Sequence, residues 1–313
     1  GGVLSARGPH EVGVLGLRNF AHRCSVGSVE DVTDGGARRH AARAVAEAAG
    51  GLAPHLVLVC SCPGSEEDVL AGIDDAVGPV PVFGWSSGGA LDAPDEEHWW
   101  QLVGSMAGWR SLSRGAVFAC LWIFADARAS SLLSHCFSPT EQKGRITQAH
   151  GRFIVEINGL PAAAVLNEWA GGALQNKVAG GCVMREGRTH PLAISDRGDS
   201  EPRLACMREV HEGGVVSCFC DVNCGECRMM CPKATDLKGA LQAVIQAALS
   251  KDEFVVRGAL ISVDAGCIAD TQVLREVLLE LDDVFCCFPF GQQGMIGEAA
   301  RHGNLMINVL LFG

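Results

Sequence analysis

The sequence predicts a mixed α/β protein, with two sheet-containing subdomains and helices packed on the outside. Three observations carry this. Residues 37–84 alternate helix, strand, helix, strand, which implies a sheet with helices laid on it. Short apolar, β-branched runs then recur to the end of the chain. The 313 residues correspond to roughly two domains at about 150 residues each.

The elements follow in order. Residues 37–51 (ARRHAARAVAEAAGG) form an Ala-rich helix, with Asp34 near its start as a cap and Gly-Gly at its end. Residues 56–62 (LVLVCSC), set between Pro54 and Pro63, suit a buried strand. Residues 65–77 open on SEED, a capping-box pattern, and continue as a second helix. Residues 80–84 are the next strand. Residues 100–107 and 116–124 read as strands joined by a turn near 111–115. Residues 138–151 (SPTEQKGRITQAHG) are polar and mark the boundary, giving domains at 1–145 and 146–313. Residues 153–157 (FIVEI) form a strand, Asn158-Gly159 a turn, and 161–170 a helix with Pro at its first turn. Short strands are expected near 179–184, 191–195, 204–208 and 215–220. A helix at 235–250, a strand at 258–263 and a helix at 270–281 follow. Strands at 284–290 and 306–312 close the chain. No repeat at a short fixed period is visible.

Composition narrows the function. Hydrophobic residues at 48% and charged residues at 19% exclude a disordered chain. A net charge of -11 argues against nucleic acid, which needs a basic face. The longest apolar stretch, residues 115–125 (GAVFACLWIFA), falls short of the ~20 residues that span a bilayer. The opening GGVLSARGPHEVG lacks the apolar core of a signal peptide. The first residue is Gly, which fits presequence removal or numbering that begins inside a longer product. The 15 cysteines are odd in number and many lie in apolar runs, as Cys60 and Cys120 do. Thiols so placed behave as small hydrophobes, and the expectation is a reducing, intracellular compartment: cytoplasm, or an organelle after presequence removal.

Four constellations have chemical potential. Gly84-Trp85-Ser86-Ser87-Gly88 fits the G-x-S-x-G elbow of serine hydrolases, but the residues that follow make a poor helix start, so a Gly-rich pocket loop is the plainer reading. Cys220, Cys224, Cys227 and Cys231 echo part of a ferredoxin run with one wrong spacing; they offer a metal or cluster site, against ordinary sheet packing by alternating small side chains. His302 precedes the last strand, and Cys62-Pro63 and Cys231-Pro232 are thiolates that haem could use, although the dipeptide is too short to be specific. Residues 290–298 (FGQQGMIGE) bring glycines that let backbone amides approach a ligand, with no P-loop lysine.

Several segments together resemble the FIST family. Residues 55–91 resemble its N-terminal half, with a strand, a helix and a "GcSSaG"-like loop. Residues 151–171 (GRFIVEINGLPAAAVLNEWAG) resemble the start of its C-terminal half, with the "EidGkPA" signature. His190-Pro191-Leu192 matches its "yPL" strand, and residues 285–313 resemble its terminal block. Trp85 stands where a small residue or Cys is usual, and Gln292 where Glu is common. The resemblance implies a non-catalytic sensory or ligand-binding module acting through a protein partner, with an amino-acid-like small molecule as ligand. Some members bind haem, so haem is the cofactor to consider, beside none at all. The ligand-binding residues implied are Gly84, Trp85, Ser86, Ser87, Gly88, Glu156, Asn158, Gly159, Phe290, Gly291, Glu298, His302 and Asn304. The alternative is a docking subunit in a larger assembly without a small ligand, using Trp99, Trp100 and Trp109. A redox or metal protein and a serine hydrolase at Ser86 are the remaining readings.

Overall fold

The structure is a computed structural model that describes residues 3–5, 8–10, 20–30, 36–87, 101–105, 108–195, 201–232, 237–251, 254–264, 276, 284–287 and 290–313. Helix α1 (Ala37–Ala49) buries Ala37, Ala41, Val45 and Ala49, a four-residue spacing that lines one face. It ends where Gly50 turns left-handed at φ 61°. Asp34 lies outside the described residues, and Gly36 holds the cap position. Helix α2 (Glu66–Val77) buries Val69, Leu70 and Ile73 against the same sheet.

That first sheet runs β22 (Ala299–Gly303), β21 (Phe290–Ile296), β5 (Val82–Ser86), β4 (Leu56–Ser61), β8 (Gly115–Ile123), β3 (Ala21–Glu30). The second runs β2 (Gly8–His10), β1 (Val3–Ser5), β20 (Val284–Cys287), β19 (Gly258–Val263), β23 (Ile307–Phe312), β9 (Ala129–Ser134). The two share a plan. In each, one parallel pair, β4 with β5 or β19 with β20, is flanked by antiparallel neighbours. Leu56 and Val82 open one parallel pair and Gly258 and Val284 the other, 26 residues apart in both cases. Each second parallel strand is followed by a hairpin and then by the antiparallel partner: β6 (Gln101–Ser105) and β7 (Gly108–Leu112) before β8, β21 and β22 before β23. The later hairpin joins the edge of the other sheet, pairing β21 with β5.

A third sheet lies between these units in sequence. Its path is β13 (Gly181–Cys182), β16 (Met207–Val210), β17 (Val216–Cys218), β11 (Phe153–Ile157), β10 (Phe137–His150), β18 (Gly225–Pro232), β14 (Leu192–Ile194), β15 (Arg203–Ala205), with β12 (Leu160–Pro161) paired to β11. Helices α3 (Ala162–Trp169) and α4 (Met184–Thr189) accompany it. The core is layered. Val57, Val59 and Trp122 of the first sheet pack with α1 and α2. Leu56, Phe83 and Leu121 of the same sheet meet Leu260, Leu310 and Phe312 of the second. The second sheet's other side packs on α5 (Leu237–Lys251) and on Phe137, Leu204 and Met230 of the third. Helices lie outside the sheets, as the sequence predicts.

Several expectations are corrected. The polar boundary segment is the 14-residue strand β10, whose mainly exposed or half-buried side chains hide it from an apolar reading. Residues 108–112 form β7, exposed except at Leu112 and therefore without an apolar pattern. The expected strand near 179–184 is only the two-residue β13, and Met184 starts α4. Residues 290–298, singled out for glycines that admit a ligand, are mostly strand β21. The helix expected at 270–281 lies outside the described residues except at Glu276.

Candidate functional site

The site begins where β4 hands over to α2. Glu66, Glu67 and Asp68 fill the first turn, where the helix dipole favours negative charge. The expected capping box does not form. Ser65 Oγ donates back to Cys62 O at 3.4 Å, and the Glu66 carboxylate accepts the Gly64 N–H at 2.7 Å. Glu66 is only 1% exposed. Its Oε1 accepts the Ser86 hydroxyl at 2.5 Å and its Oε2 accepts Arg152 Nη2 at 2.7 Å. Glu67 Oε2 accepts the same Nη2 at 2.5 Å. Glu67 Oε1 takes the Asp221 N–H at 2.8 Å and His302 Nδ1 at 2.8 Å. A carboxylate only accepts, so Nδ1 carries the proton.

This is an ionic junction of four residues from three places, with Glu66 and His302 buried and Glu67 and Arg152 half-buried. Glu66 and Glu67 come from α2, Arg152 from the turn between β10 and β11, and His302 from β22. Burial would raise the Glu67 pKa, but His302 and then Arg152 outweigh it and hold the carboxyl well below the usual range. Burial would lower the Arg152 pKa, but Glu66 and Glu67 hold the guanidinium above its ordinary value. Asp221, 3.6 Å from Arg152 Nε, goes the other way: burial, then the charge of Glu67, raises its pKa.

Beside the junction opens a cleft of about 650 Å³. Glu67 and His302 reach it from the junction, Asp221 and Arg203 from the third sheet's side, and Glu298 and Arg301 from the β21–β22 hairpin. His302 is 2% exposed, and its Nε2 has no hydrogen-bond partner.

Three of the residues expected from sequence converge. Gly291, at φ 67°, has no room for a side chain, because a Cβ there would lie 2.9 Å from both His302 Nε2 and Ser86 Oγ. Glu298 sits exposed in the hairpin turn at the cleft. Phe290 pairs through its backbone with Ser86. Asn304 is buried; its N–H donates to Leu204 O, while its side-chain amide atoms have no partner. Ser87 N donates to Ser61 O at 2.8 Å. Gly84 packs against the Val59 backbone, so no ligand approaches it there. Trp85 is not brought to this site: strand alternation turns it to the opposite face from Ser86, beside Phe83. Gly88, Trp99 and Trp100 lie outside the described residues.

Glu156, Asn158 and Gly159 are not brought to this site. Their contacts stay within the β10–β11 hairpin: Asn158 Oδ1 accepts Arg145 N–H, Gly159 N–H donates to Thr147 Oγ1, and Glu156 accepts the Thr147 hydroxyl at 3.5 Å. The four cysteines separate as well. Cys220 and Cys227 are in the core, Cys231 is half-buried and Cys224 is exposed; no three of their sulfurs converge.

Ser86 is fully buried and commits its hydroxyl hydrogen to Glu66, so the nucleophile elbow presents no accessible nucleophile. Donor atoms of Glu66, Glu67 and His302 lie within 4.8 Å of one another, but Arg152 already holds both carboxylates as their counter-cation. Haem does not fit the residues either. The cleft beside His302 carries Glu67, Asp74, Asp221 and Glu298, a poor wall for an apolar macrocycle, and Cys62 is packed in the first-sheet core. Sequence reasoning missed Glu66, Glu67, Arg152 and Asp221. The acidic helix start was the signal for the first two; nothing in spacing marks the others.

A family model, that of the FIST N domain, matches residues 1–160. That is just over half of the chain, and the chain belongs to this family of signal-transduction sensory domains. No curated protein matches it.

Two outcomes follow from the junction. Arg152→Met leaves Glu66 buried without its counter-charge, and stability in urea is expected to fall by about 3–5 kcal/mol. Asp221 has a raised folded pKa, so its contribution is full below its ordinary 3.8 and is lost as pH rises through the raised value. Asp221→Asn should therefore match wild type in strong acid and exceed it at neutral pH, as read by thermal unfolding across pH.

Proposed function

We propose that this chain is a non-catalytic sensory module that takes a small amino-acid-like ligand in the cleft beside Glu67 and His302 and passes the event to a protein partner. The observation that carries this reading is His302 itself. This nearly fully buried imidazole lines a cleft of ligand size, and Glu67, which also lines the cleft, holds it through Nδ1. Asp221 supports the reading. Its carboxyl is under-compensated, so an ammonium group would relieve it. Glu298 supplies a second acid at the rim, and Arg203 and Arg301 supply positive charge for a carboxylate. A ligand spanning Asp221 and Glu298 would link the third sheet to the β21–β22 hairpin, a change that a partner can read.

We also infer that residues 146–313 form the family's C-terminal half and that the module works in a reducing compartment. The motifs at 151–171 and 285–313 support the first inference, and the free thiols support the second.

The test is thermal unfolding and calorimetry with the twenty amino acids one by one. One chemical class should raise the melting temperature, and Asp221→Asn should weaken its binding by about tenfold or more. No shift with any amino acid would remove the ligand reading and favour the docking subunit.

A further inference from the structure

On the face of β5 away from Ser86, Phe83 and Trp85 point toward the second sheet. A second cavity of about 220 Å³ opens there. Phe83, Trp85 and Ala119 of the first sheet wall it, Leu260 of β19 closes one side, and Leu102 of the β6–β7 hairpin stands at its edge with Val26. Leu102 is 50% exposed and Val26 39%, so the rim leaves apolar surface in water. Among the described residues no charged side chain lines the cavity, and none lines both it and the polar cleft.

We propose that this cavity is a second binding site, for a small uncharged aromatic molecule of one or two fused rings. Volume sets the size. A cavity of about 150 Å³ with apolar walls takes benzene, and drug-sized sites begin near 300 Å³. The walls set the charge, because an ion placed here would lose its hydration with no partner to replace it. Trp85 sets the aromatic preference. Its half-buried ring is the accessible aromatic surface, braced edge to face by the fully buried Phe83 with centroids 6.0 Å apart. Cys60 also lines the cavity; burial pushes its thiol up to about 12, so it stays neutral. The inference stands independently of the polar cleft.

The test is calorimetric titration of the whole chain with indole, with indole-3-carboxylate as the charged comparator. Saturable indole binding with a negative heat-capacity change is expected, and the carboxylate should bind at least about tenfold more weakly. Ala119→Phe fills the cavity. Leu102→Asp places a charge at its exposed rim and leaves the core intact. Each should weaken indole by about tenfold or more, and Leu102→Asp should unfold as wild type does. No saturable indole binding, equal binding of the carboxylate, or unchanged indole affinity in both variants would overturn the proposal. So would a wild-type dimer that Leu102→Asp converts to monomer without any indole binding, which would give the groove to a second copy of the chain.

Discussion

One guanidinium holds the site together. Arg152 donates from a single nitrogen to Glu66 and Glu67 in a place where the Glu66 side chain is 2% exposed and its own 18%. A buried carboxylate without a counter-charge is among the most destabilising groups a fold can contain. Two adjacent ones at a helix start are tolerable only because Arg152 comes across from the third sheet and His302 from the final hairpin. The junction therefore fixes how α2, the β10–β11 turn and β22 meet. It also fixes the orientation of His302, whose Nδ1–H donates to Glu67.

The fold explains why residues so far apart in sequence meet. The first and second sheets repeat one plan, and the hairpin β21–β22 that belongs by order to the second unit completes the edge of the first. Gly291 and His302 thus reach Ser86 and Glu66 only after nearly the whole chain has been placed. The segment matched by the family model, residues 1–160, contains Glu66, Glu67 and Arg152 but not His302 or Asp221. Residues of both parts of the chain line the cleft.

What the sequence makes legible follows burial. β4 and β19 carry almost uninterrupted apolar residues and are read at their true positions, and α1 shows its four-residue Ala/Val stripe and its closing glycine. β10 is missed because its mostly polar residues carry no apolar alternation, and its order comes from pairing with β11 and β18 on its two sides. β21 is misread because its buried residues include Gln292 and Gln293, which bond within the core: Ser262 Oγ donates to Gln292 Oε1, and Gln293 Nε2 donates to Ser61 Oγ. Ser86, Gly291 and His302 were named from motif and resemblance and do converge. Glu156, Asn158 and Gly159 were named in the same way and do not, because a turn signal reports local backbone shape and not what lies across the fold. Arg152 and Asp221 carry no local signal; their roles come from partners 86 and 154 residues away.

The central claim is that Arg152 and His302, which come from different sheets, act as one unit through Glu67. A double-mutant cycle of Arg152→Met and His302→Gln, read by urea unfolding, tests it most directly. The account predicts that the two substitutions are non-additive, with a coupling of about 1 kcal/mol or more. Additivity within about 0.3 kcal/mol would mean that the two residues act separately, and it would contradict the account.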